Sequence, residues 1–152
     1  MNDPNSDDVR VFGVRDAAAH YIDRPGSYAV TFRQDGHVAV VRTSQGAYLP
    51  GGGTDAGESL IETIDREALE EAGLVVGGHT LIGRADELAF CTSQRVHYRK
   101  ICRFLTAELV EEHGGGEADH ELEWLSPEQA VRELAHGSQR WAVQEAVRIR
   151  SN

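Results

Sequence analysis

One 23-residue stretch constrains this 152-residue chain more than any other: Gly52 to Leu74, GGTDAGESLIETIDREALEEAGL. Leu60, Ile61, Ile64, Ala68 and Ala72 give it an apolar stripe at helical spacing, and such a stripe must be buried against another element. The pattern predicts a helix that begins near Glu58 or Ser59 and stops at Gly73, a residue suited to the left-handed cap. A Pro-Gly-Gly-Gly turn, Pro50 to Gly53, leads into it. Near the end of the helix Glu67, Glu70 and Glu71 stand at i, i+3 and i+4, where side chains are neighbours and like charges repel. Carboxylates stacked in this way are either left to water, as on most acidic helix faces, or gathered around a cation. Glu62, Arg66 and Glu70 form an i, i+4 ladder, so Arg66 is expected to hold the helix and orient the glutamates.

Gly52, Glu58, Arg66, Glu67, Glu70, Glu71 and Gly73 occupy the fixed positions of G-x5-E-x7-R-E-U-x-E-E-x-G-U, where U is a bulky apolar residue. At average residue usage, roughly one chain in a million of this length would match those seven identities by chance. On this motif the sequence resembles the Nudix hydrolases. Ala68 departs from the pattern at the first U position and Leu74 fits the second; the departure bears on packing and leaves every acid in place.

The resemblance implies an α+β protein, an α/β/α sandwich with a mixed β-sheet. It also implies a Mg²⁺-dependent pyrophosphohydrolase, with Mn²⁺ as an alternative ion, cleaving a phosphoanhydride bond in a compound linked to a nucleoside diphosphate. By the same resemblance Glu70 and Glu71 are metal ligands, and Glu67 is either a ligand or the group that orients or deprotonates water. A backbone carbonyl at Gly51 or Gly52 is a further oxygen ligand, since glycine lets the chain approach metal and phosphate closely. Many relatives add an acid from beyond the motif, for which Glu121 and Glu117 are the candidates. Arg42, at the end of a strand before the turn, takes the position of a phosphate-contacting arginine. Tyr48, Phe90, Tyr98 and Trp124 are candidates for stacking a base, or else core aromatics.

The rest of the chain reads as strands and helices around this motif. Tyr28–Arg33 and His37–Arg42 are strand-like and joined by a Gln34-Asp35-Gly36 turn. A short Ala47–Leu49 segment follows them. Further strands are expected at Thr80–Arg84, Asp86–Thr92, Val96–Leu109 and Glu121–Leu125, with a mobile Gly-rich acidic loop at Glu111–Asp119. Ser126 and Pro127 start one helix, and Ser138 caps a last one carrying Trp141, Ala142, Ala146 and Ile149. No repeat or composition break divides residues 9–152, which form a single expected domain after an acidic, disordered tail at residues 1–8.

The net charge of −10 disfavours a long nucleic acid as partner and is compatible with a small phosphorylated nucleotide once metal neutralises the acids. No apolar run approaches a membrane span, the first residues resemble no signal peptide, and the two cysteines suit reduced thiols in a cytoplasm. A homodimer is left open. Signatures of NADH pyrophosphatases, ADP-ribose hydrolases, dinucleoside-polyphosphate hydrolases and coenzyme A hydrolases are absent from the expected positions. The expected substrate is therefore a nucleoside di- or triphosphate, including oxidised ones. The alternatives are hydrolysis of ADP-ribose or a nucleotide sugar, and a silent nucleotide sensor.

Overall fold

The continuous apolar runs of this sequence, such as VAVV at Val38–Val41, suit strands covered on both faces. That is where the computed structural model places them. It describes residues 9–152; the expected tail at residues 1–8 lies outside the described residues. Strands β1 (Arg10–Phe12), β2 (Tyr21–Phe32), β3 (Val38–Thr43), β4 (Gly46–Tyr48) and β5 (Gly51–Gly53) precede helix α1 (Leu60–Ala72). They are followed by β6 (Leu74–Cys91), β7 (Val96–Glu112), β8 (Glu121–Leu125), α2 (Pro127–Glu133) and α3 (Gly137–Arg150). The mixed sheet runs in the order β1-β6-β7-β2-β3-β4, with β5 added to β2 and β8 to β3.

Alternate residues of the central strands feed two cores. Val30, Val38, Val40 and Phe104 meet Ala130, Ala142, Val143 and Ala146 on the side of α2 and α3. Ala29, Ala39, Val41, Leu105 and Ala107 meet Ile64, Ala68 and Ala72 on the side of α1. These two layers over one sheet are the expected α/β/α sandwich. Ala68 is buried at 1% exposure, so its small side chain sets how closely α1 approaches the sheet. Ile61, read as part of the buried stripe, faces outward instead, and the buried Thr63 takes a place on the inner face.

Several elements differ from the sequence reading. The two strands expected at Thr80–Arg84 and Asp86–Thr92 are parts of one long strand, β6. Its pairing with β7 shifts register at Val75/Val76, Gly77/Thr80 and Leu81/Gly83. Glycines absorb the second and third of these shifts without ending the strand, Gly78 at φ 61° and Gly83 at φ 153°. Strand β2 begins at Tyr21, because a parallel ladder with β7 carries it through Pro25 and Gly26. It meets β3 only at Phe32–Val38. Below that hairpin the strands part, β5 pairs with β2 in the gap, and the opening becomes a cavity.

Ser138 does not cap α3. His136 occupies that position without a side-chain bond. Ser138 instead gives its backbone N–H (3.0 Å) and hydroxyl (2.7 Å) to one oxygen of the buried Glu87. A carboxylate at a helix N-terminus also opposes the helix dipole favourably. Replacing Glu87 by Ala would leave two buried donors without an acceptor, at a cost of about 1–3 kcal/mol. Thermal unfolding of Glu87→Ala should show a melting point several degrees lower, with Glu87→Gln, which keeps an acceptor, falling less.

Candidate active site

Helix α1 is held at both ends in a way that fixes its acids. At the start Ser59 and Glu62 close a capping box, so Glu62 is spent on the Ser59 backbone N–H and is not a rung of the expected Arg66 ladder. Arg66 instead bonds Glu58 (2.6 Å), Glu67 (2.9 Å), Glu70 (3.3 Å) and the carbonyl of Gly53 (3.1 Å). The guanidinium thus ties the helix to the glycine strand and to the Glu58 loop, the structural role expected of it. Glu58 also accepts from the Asp55 backbone N–H and the Thr63 hydroxyl. With Arg66 as the main cause, its carboxyl is held down at about 2.

The three glutamates are not equivalent. Glu70 is half exposed and touches Arg66 weakly. Glu67 and Glu71 point inward, 17% and 14% exposed. Glu71 accepts the backbone N–H of Gly51 at 2.9 Å. Burial pushes its carboxyl up to about 8, against that hydrogen bond and with the charges of Glu67 and Glu117 adding to the rise. Burial raises Glu67 as well, opposed by Arg66. The phenol of Tyr28 lies within the field of both acids and is raised chiefly by burial.

Of the two acids beyond the motif, Glu117 lies beside the acids of α1, and Glu121 does not. Strand β7 runs on to Glu112, and the Gly-rich loop after it lies against the end of α1. His113 donates its N–H to the Gly73 carbonyl and Glu117 donates its N–H to that of Glu70, at 2.8 and 3.1 Å. A Cβ on Gly116 would come 2.1 Å from the Glu71 carbonyl oxygen, so only glycine allows this approach. His120 stands between two acids, with Nε2 3.7 Å from Glu71 and Nδ1 3.3 Å from Glu117, the latter not aligned as a hydrogen bond. Glu121 pairs in register with Arg42 on β3 and faces a separate shallow cleft.

Strand β5 alternates its peptide groups. Gly51 and Gly53 turn theirs to Glu71 and Arg66, whereas the carbonyl of Gly52 faces Gly26 of β2. The carbonyl available beside the acids is therefore that of Gly51, and the expected ligation through Gly52 does not match this geometry. Gly52 serves differently: its missing side chain makes room for Glu67, whose carboxylate oxygen lies 2.8 Å from where a Cβ would be.

From Gly51 and Glu71 a cavity of about 480 Å³ opens between the parted strands. Tyr48, Phe90 and Tyr98 line it, joined by residues without a sequence signal: Tyr28, His136 and Gln139. The ring of Tyr48 lies 5.2 Å from that of His136, and the half-exposed ring of Phe90 lies 4.7 Å from that of His97. Two expected contacts fall elsewhere. Arg42 is bound by Glu123 (2.8 Å) and Glu133 (2.6 Å), so its guanidinium is already answered by two carboxylates. Trp124 lies under Arg33 and donates to Glu112, away from the cavity.

Among the described residues no three His, Cys, Asp or Glu side chains are grouped so that they could hold a metal ion as they stand. Arg66 draws Glu67 and Glu70 towards itself. The donor set nevertheless fits Mg²⁺ or Mn²⁺, which take oxygen ligands. Glu71 has one hydrogen-bond donor for its two oxygens and faces two further acids, a crowding that a proton or a cation would relieve.

A family model described as NUDIX domain matches residues 23–145. A search of curated proteins found no match. Similar solved structures include a MutT protein from Methanosarcina mazei Go1, with 22% identity, TM-score 0.69, and coverage of 89% of this chain and 100% of that one. A NUDIX hydrolase from Nitrosomonas europaea has 18% identity and TM-score 0.66, covering 82% and 88%. An ADP-ribose pyrophosphatase from Streptococcus suis 89-1591 has 18% identity and TM-score 0.63, covering 85% and 92%. They share the fold described above.

The Glu58–Arg66 pair gives a test in acid. Because the folded carboxyl titrates below its ordinary 4.5, its contribution to stability is complete above that value and is lost as pH falls towards about 2. The melting point of wild type should exceed that of Glu58→Gln at neutral pH, and the two should converge as pH approaches 2. A gap that stays constant with pH would remove the ion pair as its source.

Proposed function

The chain belongs to the Nudix family, and on that premise we propose that it is a Mg²⁺-dependent pyrophosphohydrolase acting on nucleoside di- or triphosphates, oxidised ones included. The observation that carries this reading is the meeting of Glu67, Glu71 and Glu117 with the Gly51 backbone at the mouth of an aromatic cavity.

Glu71, Glu117 and the Gly51 carbonyl, with Glu67, are the groups that would hold the ion. A divalent cation held there supplies Lewis-acid polarisation of a phosphoryl oxygen and a more acidic attacking water. Glu67 remains either a ligand or the base for that water, with Arg66 fixing its position. Glu70 serves from the exposed rim, where it reaches solvent and Arg66. The cavity positions the substrate: Phe90, Tyr98 and Tyr48 offer ring faces to a base. Arg42 has no part in this scheme. No helix of the described residues is long and apolar enough to cross a membrane. Cys91 and Cys102 are free thiols, which fits a cytoplasmic setting.

Release of phosphate and pyrophosphate is the direct test, with and without Mg²⁺ at roughly millimolar levels. The panel comprises deoxynucleoside triphosphates, their oxidised forms, nucleoside diphosphates, ADP-ribose, NADH and nucleotide sugars. Metal-dependent release from the di- or triphosphates is expected. Glu71→Gln and Glu67→Gln should lower kcat at least about 100-fold. Glu71→Gln should also diminish the rise in melting point that metal gives wild type. Silence across the panel, with metal bound, would reject the enzymatic reading in favour of a sensor.

A further inference from the structure

Beside the glycine strand lie two cations that no carboxylate answers. Arg24 and Lys100 are direct partners in the parallel ladder of β2 and β7, so their side chains leave one face of the sheet side by side. Like charges placed directly opposite are destabilising. Of the arginines, Arg33, Arg42, Arg66, Arg84, Arg99, Arg148 and Arg150 each hold an acid, whereas Arg10, Arg15, Arg95, Arg103, Arg132 and Arg140 hold none among the described residues. Among the described residues Arg24 and Lys100 form no ion pair; the guanidinium of Arg24 lies 5.2 Å from the centroid of the Tyr98 ring. The nearest acid in the ladder, Glu87 opposite Lys100, already accepts both donors of Ser138 at one oxygen.

The identity of Lys100 is itself unusual. The chain uses arginine fourteen times and lysine once. That one lysine lines the aromatic cavity and also a small cleft of about 120 Å³, which it shares with Arg24, Gly52 and Gly53. The Nε of Arg24 is 3.4 Å from where a Cβ on Gly53 would be, and the carboxylate of Glu67 is 2.8 Å from the same point on Gly52. The bare glycine strand therefore separates the acids of α1 from this cation pair. Glu71 and Lys100 nevertheless line the same cavity, and Lys100 with Arg24 lines the cleft next to it, so a chain of phosphates held at the acids extends towards the cation pair.

We propose that Arg24 and Lys100 form a subsite for the terminal, unesterified phosphate of the substrate. The inference rests on the pyrophosphohydrolase reading and narrows it: the subsite selects nucleoside di- and triphosphates over diphosphates esterified at both ends, such as ADP-ribose. A terminal phosphate carries about −1.5 to −2 charge near neutrality, more than a diester can offer. A guanidinium can bind it with two parallel hydrogen bonds, and an ammonium adds a compact point charge. Binding also removes the repulsion between the two cations.

The test has two parts. Inorganic pyrophosphate is titrated by calorimetry into metal-free wild type, Arg24→Met, Lys100→Met and the double variant. Then kcat and KM are measured with Mg²⁺ for a nucleoside triphosphate and for ADP-ribose. Each single change should weaken pyrophosphate binding about 10-fold or more and raise KM for the triphosphate similarly. KM for ADP-ribose should move less than about threefold, and Lys100→Arg should keep most of the pyrophosphate affinity. Melting points should be equal to or above that of wild type, since a repulsion is removed. Unchanged pyrophosphate binding in the double variant, or equal KM rises for both substrates, overturns the subsite. If wild type hydrolyses neither substrate the activity reading fails, while the pyrophosphate titration still decides whether the cation pair binds phosphate.

Discussion

The architecture of the site depends on one close approach, that of helix α1 to a strand made only of glycine. With no side chains on Gly51, Gly52 and Gly53, the acids of α1 reach the backbone of β5 itself. Glu71 takes the Gly51 N–H, Glu67 fills the space a Gly52 side chain would need, and Arg66 reaches the Gly53 carbonyl. The same economy recurs at the far end of the helix, where Gly116 lies against the Glu71 carbonyl and brings Glu117 within range. Repelling carboxylates are thus held by backbone contacts, so their crowding does not drive them into water. Arg66 supplies the compensating charge from behind.

The local half of this arrangement was legible in the sequence. Periodicity and the Gly73 terminus locate α1, and i, i+4 spacing places Glu67 beside Glu71; the capping box of Ser59 and Glu62 was not read there. The distinction between an inward Glu71 and an outward Glu70 was not legible, because both lie on the same helical flank. It depends on which carboxylate meets the Gly51 N–H, a contact twenty residues away. Glu121 was the preferred acid by sequence, with Glu117 the other candidate. Only the packing of the Gly-rich loop against α1 separates them, and the glycines that suggested mobility are the ones that permit that packing.

Arg42 shows the reverse failure. A strand-end arginine before the turn suits a phosphate contact, yet the acids that bind it come from β8 and α2, 81 and 91 residues later. Tertiary neighbours decided its role. Lys100 was missed for a related reason: a single lysine in a strand has no periodicity, and its partner across the ladder is Arg24, 76 positions earlier in the chain. Strand boundaries failed where glycines and prolines bent a strand without ending it, as in β2 and β6.

The tip of the β6–β7 hairpin forms one side of the cavity. Phe90, Cys91, Thr92 and Ser93 wall the cavity from there, exposed or only partly buried, and none of them belongs to either core. The acids sit on a different element, anchored by a different set of bonds. The acid cluster and this wall of the cavity are consequently built from separable parts of the chain. Drift at the hairpin tip can reshape what the cavity admits while the acids of α1 and both cores stay in place.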